Sequence, residues 1–270
     1  MLAGKRIAVV MPAYNEARLI SGTLDGIPGF ADHIVVVDDA SLDATPEIVR
    51  AFPRPVELAE HATNQGVGAA IATGCRRALS LGADFTAVMA ADGQMDPMDL
   101  PTLLAPLIAG EADYTHGNRL GWPAAREAMP WHRWLGNHLF SLLTRYAIGI
   151  AVQDSQCGYA AMNRRAQQAL DWDGLWKGYG YPNDLLSALT LCGLRVQEIP
   201  VRPFYGAEQS GIRLRHVLFI IPFVIVRAWV RRRARRRALV PQPRAVAPDN
   251  LTKAEAAACV LGRGSLETPP

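Results

Sequence analysis

The sequence predicts an α/β fold in which a mainly parallel central sheet is covered by helices on both faces. Two observations carry this. Short apolar, β-branched runs alternate with longer helical segments through the first 110 residues. The runs are apolar without a period of two, as strands buried on both faces are.

The elements follow in order. Lys5–Met11 is a first strand, stopping at Pro12, and Glu16–Leu24 has helical spacing. His33–Asp38 (HIVVVD) is a second strand, and Asp43 to Glu47, with Pro46 and an acid in the first turn, opens a helix. Val56–Ala59 is a weaker strand, Gly66–Leu81 an Ala-rich helix and Phe85–Ala90 a further strand. Beyond Gly110 the pattern loosens: Tyr114–Asn118 reads as a strand, Trp131–Val152 as a long helix, Gly174–Gly180 as a Gly-aromatic loop. Leu185–Cys192 is helical and Arg195–Pro200 a strand. Residues 1–212 are thus the expected domain, 213–237 a basic–apolar–basic segment, and 238–270, with five prolines, a disordered tail.

Half of the 270 residues are apolar, enough for a core without a disulfide framework. The four cysteines (Cys75, Cys157, Cys192, Cys259) share no short spacing and are expected to be reduced thiols. The opening MLAGKRIAVVMPAYNE has no apolar leader, so a cytoplasmic protein is expected. The net charge of +3 hides an asymmetry: residues 211–240 carry nine arginines and no acid, whereas residues 1–210 sum to −6. Such a tail faces an anionic surface, membrane or nucleic acid.

Open parallel sheets bind ligands at the carboxyl ends of their strands. Three expected strands end there in polar clusters: Pro12-Ala-Tyr14-Asn15-Glu16, Asp38-Asp39-Ala-Ser41 and Asp92-Gly93-Gln94-Met95-Asp96. Gathered acids repel one another and call for a cation or a donor-rich ligand. A nucleoside diphosphate with Mg²⁺ or Mn²⁺ meets that need, because carboxylates and amide carbonyls are hard oxygen ligands. Each cluster alone reads equally well as a strand-to-helix turn, an Asx-rich loop or a helix cap. Three at successive strand ends favour a shared site. Other chemistries lack their motifs: there is no Gly-rich, lysine-bearing phosphate loop, no dinucleotide fingerprint, no Gly-x-Ser-x-Gly elbow and no His-x-x-x-His pair.

In this order, VVMPAYNEA (9–17), IVVVDDASLDAT (34–45), NQGVGAAIATG (64–74), AVMAADGQMDP (87–97), GNRL (117–120), DSQCGYAAM (154–162) and YPNDLL (181–186) resemble the family 2 glycosyltransferases of GT-A fold. The resemblance is to the polyprenyl-phosphate mannose or glucose synthase type. It implies that Pro12, Tyr14, Glu16, Asp38 and Asp39 hold the base and ribose of a nucleotide-diphosphate sugar. Asn64 and Gly66 would let the following helix approach the nucleotide, with Asp92 beside the diphosphate. Asp92 and Gln94, with Asp96 as a further candidate, would ligate Mg²⁺ or Mn²⁺. The family's first metal-ligating aspartate is Ala90 here, and a basic residue common after the acceptor-side aromatic is Ala160.

Arg119 would stabilise charge on the leaving diphosphate, a task suited to a planar, permanently charged fork of donors. Gln156 and Asp184 would lie by the acceptor, and Arg202, with Gly206 and Ser210, would belong to a closing loop. The implied reaction is an inverting in-line displacement. A lipid phosphate, with a second pKa of about 6, is already nucleophilic at neutral pH; a hydroxyl acceptor would need Asp184 as base. A soluble or glycan acceptor, and a non-catalytic nucleotide-sugar binder with Ala90 in place of a ligand, are the rival readings.

The ten apolar residues Val217–Val226 are too few to span a bilayer. Followed by Trp229 and the arginine run at 231–237, they predict peripheral attachment to the inner face of the cell membrane. The alternative is a helix buried on the domain or in a homo-oligomer. Nucleic acid is not expected as a partner, because no binding module is recognisable.

Overall fold

A computed structural model describes residues 1–204 and 216–239. Gly206, Ser210 and the expected tail beyond residue 239 lie outside the described residues. The strands are β1 (Ile7–Ala13), β2 (His33–Asp38), β3 (Glu57–Glu60), β4 (Phe85–Val88), β5 (Tyr114–Asn118), β6 (Ala160–Asn163) and β7 (Val196–Pro200). They form one sheet in the order β3-β2-β1-β4-β6-β5-β7. Every pairing is parallel except those of β6, which runs against both β4 and β5. The chain starts in the middle of the sheet, fills one side and then crosses to the other, so β1 and β4 flank a switch point.

Nine helices accompany the strands among the described residues: α1 (Ile20–Gly26), α2 (Thr45–Arg50), α3 (Val67–Ser80), α4 (Leu100–Ile108), α5 (Ala125–Ala128), α6 (Trp131–Ile148), α7 (Arg164–Ala169), α8 (Tyr181–Leu191) and α9 (Ile221–Leu239). The continuous apolar strands serve two cores, because successive side chains point to opposite faces. Ala8, Val10, Val35 and Val37 meet α3, α8 and α9 on one face. Ile7, Val9, Val36 and Ile34 meet α1, α2 and α4 on the other.

Five local differences from the sequence reading have physical causes. β1 runs through Pro12 to Ala13, pairing with β2 as far as Asp38. The Met89 amide donates to Val10 O, so the edge of residue 12 that lacks an N–H faces β4, which has already ended at Val88. The last expected strand residues, Met89 and Ala90, lie outside β4; the Ala90 amide donates to Met95 Sδ at 3.2 Å. The helix α6 stops at Ile148 because Gly149 turns left-handed at φ 75°. β6, unforeseen, is short and Ala-rich, and α4 carries Pro101 and Pro106, which mask helical patterning.

The basic segment folds as α9 after a π-helical turn at His216–Ile220. It is striped: Ile221, Val224, Ile225 and Ala228 join the core, whereas Leu218, Phe219, Phe223, Val226 and Val230 face outward. The apolar run therefore serves two faces.

Candidate active site

The carboxyl ends of β1, β2 and β4 bring three of the expected clusters to one edge of the sheet. After β1, Asn15 adopts φ 57°, a left-handed conformation that Asn tolerates, and the Asn15 amide donates to Ser41 Oγ at 2.9 Å. Asn15 Oδ1 in return accepts from the Leu42 amide, and the Glu16 amide donates to Thr45 Oγ1. The two loops thus brace each other, leaving Tyr14 exposed and the Glu16 carboxyl half-buried. Burial, and then the carboxylates of Asp92 and Asp43, push the Glu16 carboxyl up to about 7.

The two aspartates at the end of β2 differ. Asp38 accepts from the Ser41 amide through Oδ2, while its Oδ1 is buried with no hydrogen-bond partner among the described residues. Asp39 is fully used: it accepts from the Gln65 and Gly66 amides at 2.8 and 2.7 Å and pairs with His61 Nδ1 at 2.7 Å. His61 Nε2 meets Thr73 Oγ1 on α3. Asp39 therefore shapes the turn into α3, and Asn64 is exposed beside it.

Gly66 and Gly68 have a packing reason to be small. Gly66 sits at φ 96°, and a Cβ there would lie 2.6 Å from Lys177 O; at Gly68 it would lie 2.3 Å from Trp176 O. The first turn of α3 is packed against the 174–180 loop, and Lys177 O accepts from the Gly68 amide at 2.7 Å.

After β4, Asp92 Oδ1 accepts from the Gln94 amide at 3.0 Å, an Asx turn. Gln94 then lines a cavity with Met95, Arg119, Cys157, Tyr159 and Arg202. Asp96, the further metal candidate, caps the following 3₁₀ turn by accepting from the Met98 amide. Arg119 enters the cavity on a fixed stem. Its Nε and Nη2 meet the two oxygens of fully buried Asp154 at 2.7 and 2.9 Å. Burial alone would raise the Asp154 carboxyl, yet Arg119 holds it below the usual carboxylate range. Arg202 is anchored by its amide to Asp99 Oδ2, with its guanidinium over the Phe204 ring.

Two expected acceptor residues are engaged by protein partners. Gln156 is bonded into a buried network, donating to Ser155 Oγ and Asn183 Oδ1, to which Ser141 and Thr144 of α6 also belong. Asp184 is fully buried beneath α9: Oδ2 accepts from the Trp176 amide at 2.9 Å, and Arg231 and Arg227 stand at 3.2 and 3.6 Å. A general base needs an oxygen within hydrogen-bond reach of the substrate. Here both are occupied, which corrects the expectation of a poised base.

Against this geometry the comparisons with known proteins are direct. The family model described as glycosyl transferase family 2 matches residues 8–170. The chain belongs to glycosyltransferase family 2. It is 30% identical over 233 residues, 80% of this chain and 92% of the relative, to the UDP-N-acetylglucosamine–dolichyl-phosphate N-acetylglucosaminyltransferase of Methanococcus voltae. It is 32% identical over 209 residues, 73% of this chain and 82% of the relative, to the undecaprenyl-phosphate mannosyltransferase of Micrococcus luteus. Among solved structures, the glucosyl-3-phosphoglycerate synthase of Mycobacterium tuberculosis, in complex with Mn²⁺, UDP and glucosyl-3-phosphoglycerate, superposes with a TM-score of 0.65. The two share 21% identity over 84% of this chain and 81% of that one, which establishes the GT-A fold.

In this glycosyltransferase the residues that sequence reasoning left unassigned are the partners. Asp154 opens the DSQCGYAAM stretch, and Arg227 and Arg231 read only as members of a charge run. Two arginines four apart on one helix face were the available signal of a buried acid opposite them.

Proposed function

We propose that this glycosyltransferase moves a sugar from a nucleoside-diphosphate donor to a polyprenyl phosphate at a membrane surface. The observation that carries the reading is the presence of two features at one sheet edge. Glu16, Asp38 and Asp92 gather at the ends of β1, β2 and β4, and Gln94, two residues beyond Asp92, lines a cavity with Arg119 and Arg202. A ribose or base offers donors for Asp38 Oδ1, and two guanidiniums suit phosphates. The named substrates of the M. voltae and M. luteus relatives support a lipid-phosphate acceptor.

In the displacement, the acceptor phosphate oxygen forms the new bond to the anomeric carbon as the bond to the diphosphate breaks. Negative charge grows on the leaving group, where Arg119, held rigid by Asp154, stabilises it without reorganising. The acceptor is already anionic, so the engagement of both Asp184 oxygens is no obstacle. This favours a lipid phosphate over a hydroxyl acceptor.

The donor set fits a divalent ion shared with the diphosphate. Asp92 and Gln94 supply hard oxygens, and Ala90 removes one carboxylate. Among the described residues no three His, Cys, Asp or Glu side chains are grouped to cage a metal by themselves. Asp92 and Gln94 would hold Mg²⁺ or Mn²⁺ together with diphosphate oxygens, and the bound ion would neutralise charge on the leaving group.

Membrane attachment is supported by two outward faces. No described helix is long and apolar enough to cross a membrane. The exposed apolar residues of α9 are matched on α6 by Trp131, Leu135, Leu139, Leu142, Leu143 and Tyr146. The inner side of α6 holds hydrogen-bonded Ser141 and Thr144 beside Phe140, Ala147 and Ile148, so this helix presents apolar side chains both to the core and outward. Arg232 ties the two helices by donating to Tyr146 O and Ala147 O.

The test offers purified protein labelled UDP- and GDP-sugars with polyprenyl phosphate and Mg²⁺ or Mn²⁺. Label extracted into the organic phase from one donor is the expected result, abolished by chelation. Label only in water-soluble product would overturn the lipid acceptor.

A further inference from the structure

Asp184 is the centre of an ion cluster that joins three parts of the chain. It lies on α8, in contact with Arg227 and Arg231 of α9 and with the Trp176 amide of the 174–180 loop. Both arginines also reach Gly174 O, at 2.6 and 3.0 Å, so Gly174 is held from α9 and the Trp176 amide from α8. The Trp176 ring packs beside Phe223 and Arg227 of α9, and its indole N–H donates to Tyr179 O. The loop is therefore fastened on its α9 side by charge, hydrogen bonds and ring contact.

Its other side rests on α3. The amides of Gly68 and Ala69 donate to Lys177 O at 2.7 and 3.3 Å, capping helix N–H groups that the helix itself leaves unpaired. The contact is tight enough to exclude a Cβ at Gly66 or Gly68. The Gly66 amide in turn donates to Asp39 at the end of β2. A continuous set of contacts thus runs from α9 through Asp184, Trp176 and Lys177 to the sheet edge.

We infer that Asp184 is a positioning residue for the donor site: by clamping Arg227 and Arg231 it holds the Trp176–Lys177 backbone against the first turn of α3. The inference rests on the functional reading above in one respect, that the turn between Asp39 and α3 borders the bound nucleotide. It assigns α9 a second task beside the outward-facing one. α9 thus also sets the shape of the donor site, so its seat on the domain and donor affinity are coupled.

Four full-length proteins test this: wild type, Asp184→Asn, Arg231→Gln and Gly68→Ala, the last forcing the loop off α3 without touching the ion cluster. Lys177 places a tryptic site inside the loop, giving a readout independent of catalysis. Calorimetry with UDP and with GDP in Mg²⁺, without acceptor, gives a second.

The expected result is faster cleavage after Lys177 in all three variants and nucleotide affinity weakened by about tenfold. Donor KM rises, while kcat at saturating donor and its pH profile stay close to wild type. A kcat lowered by about a hundredfold, as loss of a general base gives, with unchanged nucleotide affinity, would overturn the inference. Should Asp184→Asn fail to fold, Arg231→Gln and Gly68→Ala decide, and wild-type affinity in both overturns it. Wild type that bound neither nucleotide would instead sink the donor-site reading, while the tryptic rates still judged the clamp: equal rates in all proteins would sink it.

Discussion

The two sides of this molecule use buried polar groups in opposite ways. At the ends of β1, β2 and β4, acids crowd together; Asp38 keeps a buried oxygen unfilled, and Glu16 is pushed toward its neutral form. Around α6, α8 and α9, polar side chains are closed on one another: Ser141, Thr144, Ser155, Gln156 and Asn183 form one network, and Asp184 is matched by two arginines. An unpaired buried polar atom costs about 1–3 kcal/mol. Asp38 Oδ1 is such an atom, as are Thr86 Oγ1, His116 Nδ1, Ser187 Oγ and the Gln167 amide, but Asp38 alone of these lies among the acids at the strand ends, where a ligand can supply the donor. The closed network around Asn183 and Asp184 is scaffold.

Arg119 and Asp154 form the joint between the two regimes and give the largest expected effect. Arg119→Met removes the charge that faces the leaving group, and kcat/KM falls by about a hundredfold or more. It also leaves Asp154 buried without its cation, which lowers stability by about 3–5 kcal/mol, read as a drop in the denaturant midpoint. Asp38→Asn sharpens the contrast from the open side. The Ser41 turn survives, so the melting temperature stays near wild type. The lost acceptor weakens donor binding by about 10- to 100-fold, measured by calorimetry. Equal loss of stability in both variants would break the comparison.

The same distinction explains what the sequence made legible. The parallel half was readable because strands buried on both faces are plain apolar runs, and their ends, where polarity changes abruptly, lie on one edge. That reading placed Glu16, Asp38, Asp39 and Asp92 at the edge where the strands end. The rest was obscured by tertiary partners. The second aspartate of the Asp38-Asp39 pair is satisfied by the Gln65 and Gly66 amides, and Asp184 by arginines more than forty residues away. Gly66 and Gly68 pattern identically whether a nucleotide or the Lys177 carbonyl approaches them. β6 was missed because Ala-Ala-Met-Asn carries no β-branched residue, and α9 because burial of one stripe cannot be read from a run apolar all round.

The outward faces of α6 and α9 extend the comparison to the surface. Flotation with anionic vesicles is expected for wild type and weakens as salt rises. Leu142→Glu with Val226→Glu, both exposed and outside the two cores, removes most of the binding while leaving the melting temperature near wild type. Arg233→Gln alone costs about 1 kcal/mol, or about fivefold in vesicle partitioning. Unchanged flotation of the double variant would assign these faces to another copy of the chain.

The smallest effect is expected from Glu16, and its sign is diagnostic of the open side. Its carboxyl is raised from 4.5 to about 7, by burial first and then by Asp92 and Asp43. Between those values the folded protein binds more protons at this position than the unfolded chain does. The contribution of Glu16 to stability is therefore present in acid and is lost as pH rises toward 7. Glu16→Gln, which keeps the shape without the charge, removes that loss, so the melting temperature of the variant gains on wild type between pH 5 and about 8. Wild type should recover part of the difference when Mg²⁺ and a nucleoside diphosphate are added, because a cation at Asp92 offsets the crowding that disfavours the Glu16 carboxylate. A pH-independent gap between the two proteins would mean that Glu16 is solvated, and that the open edge of the sheet is an ordinary surface.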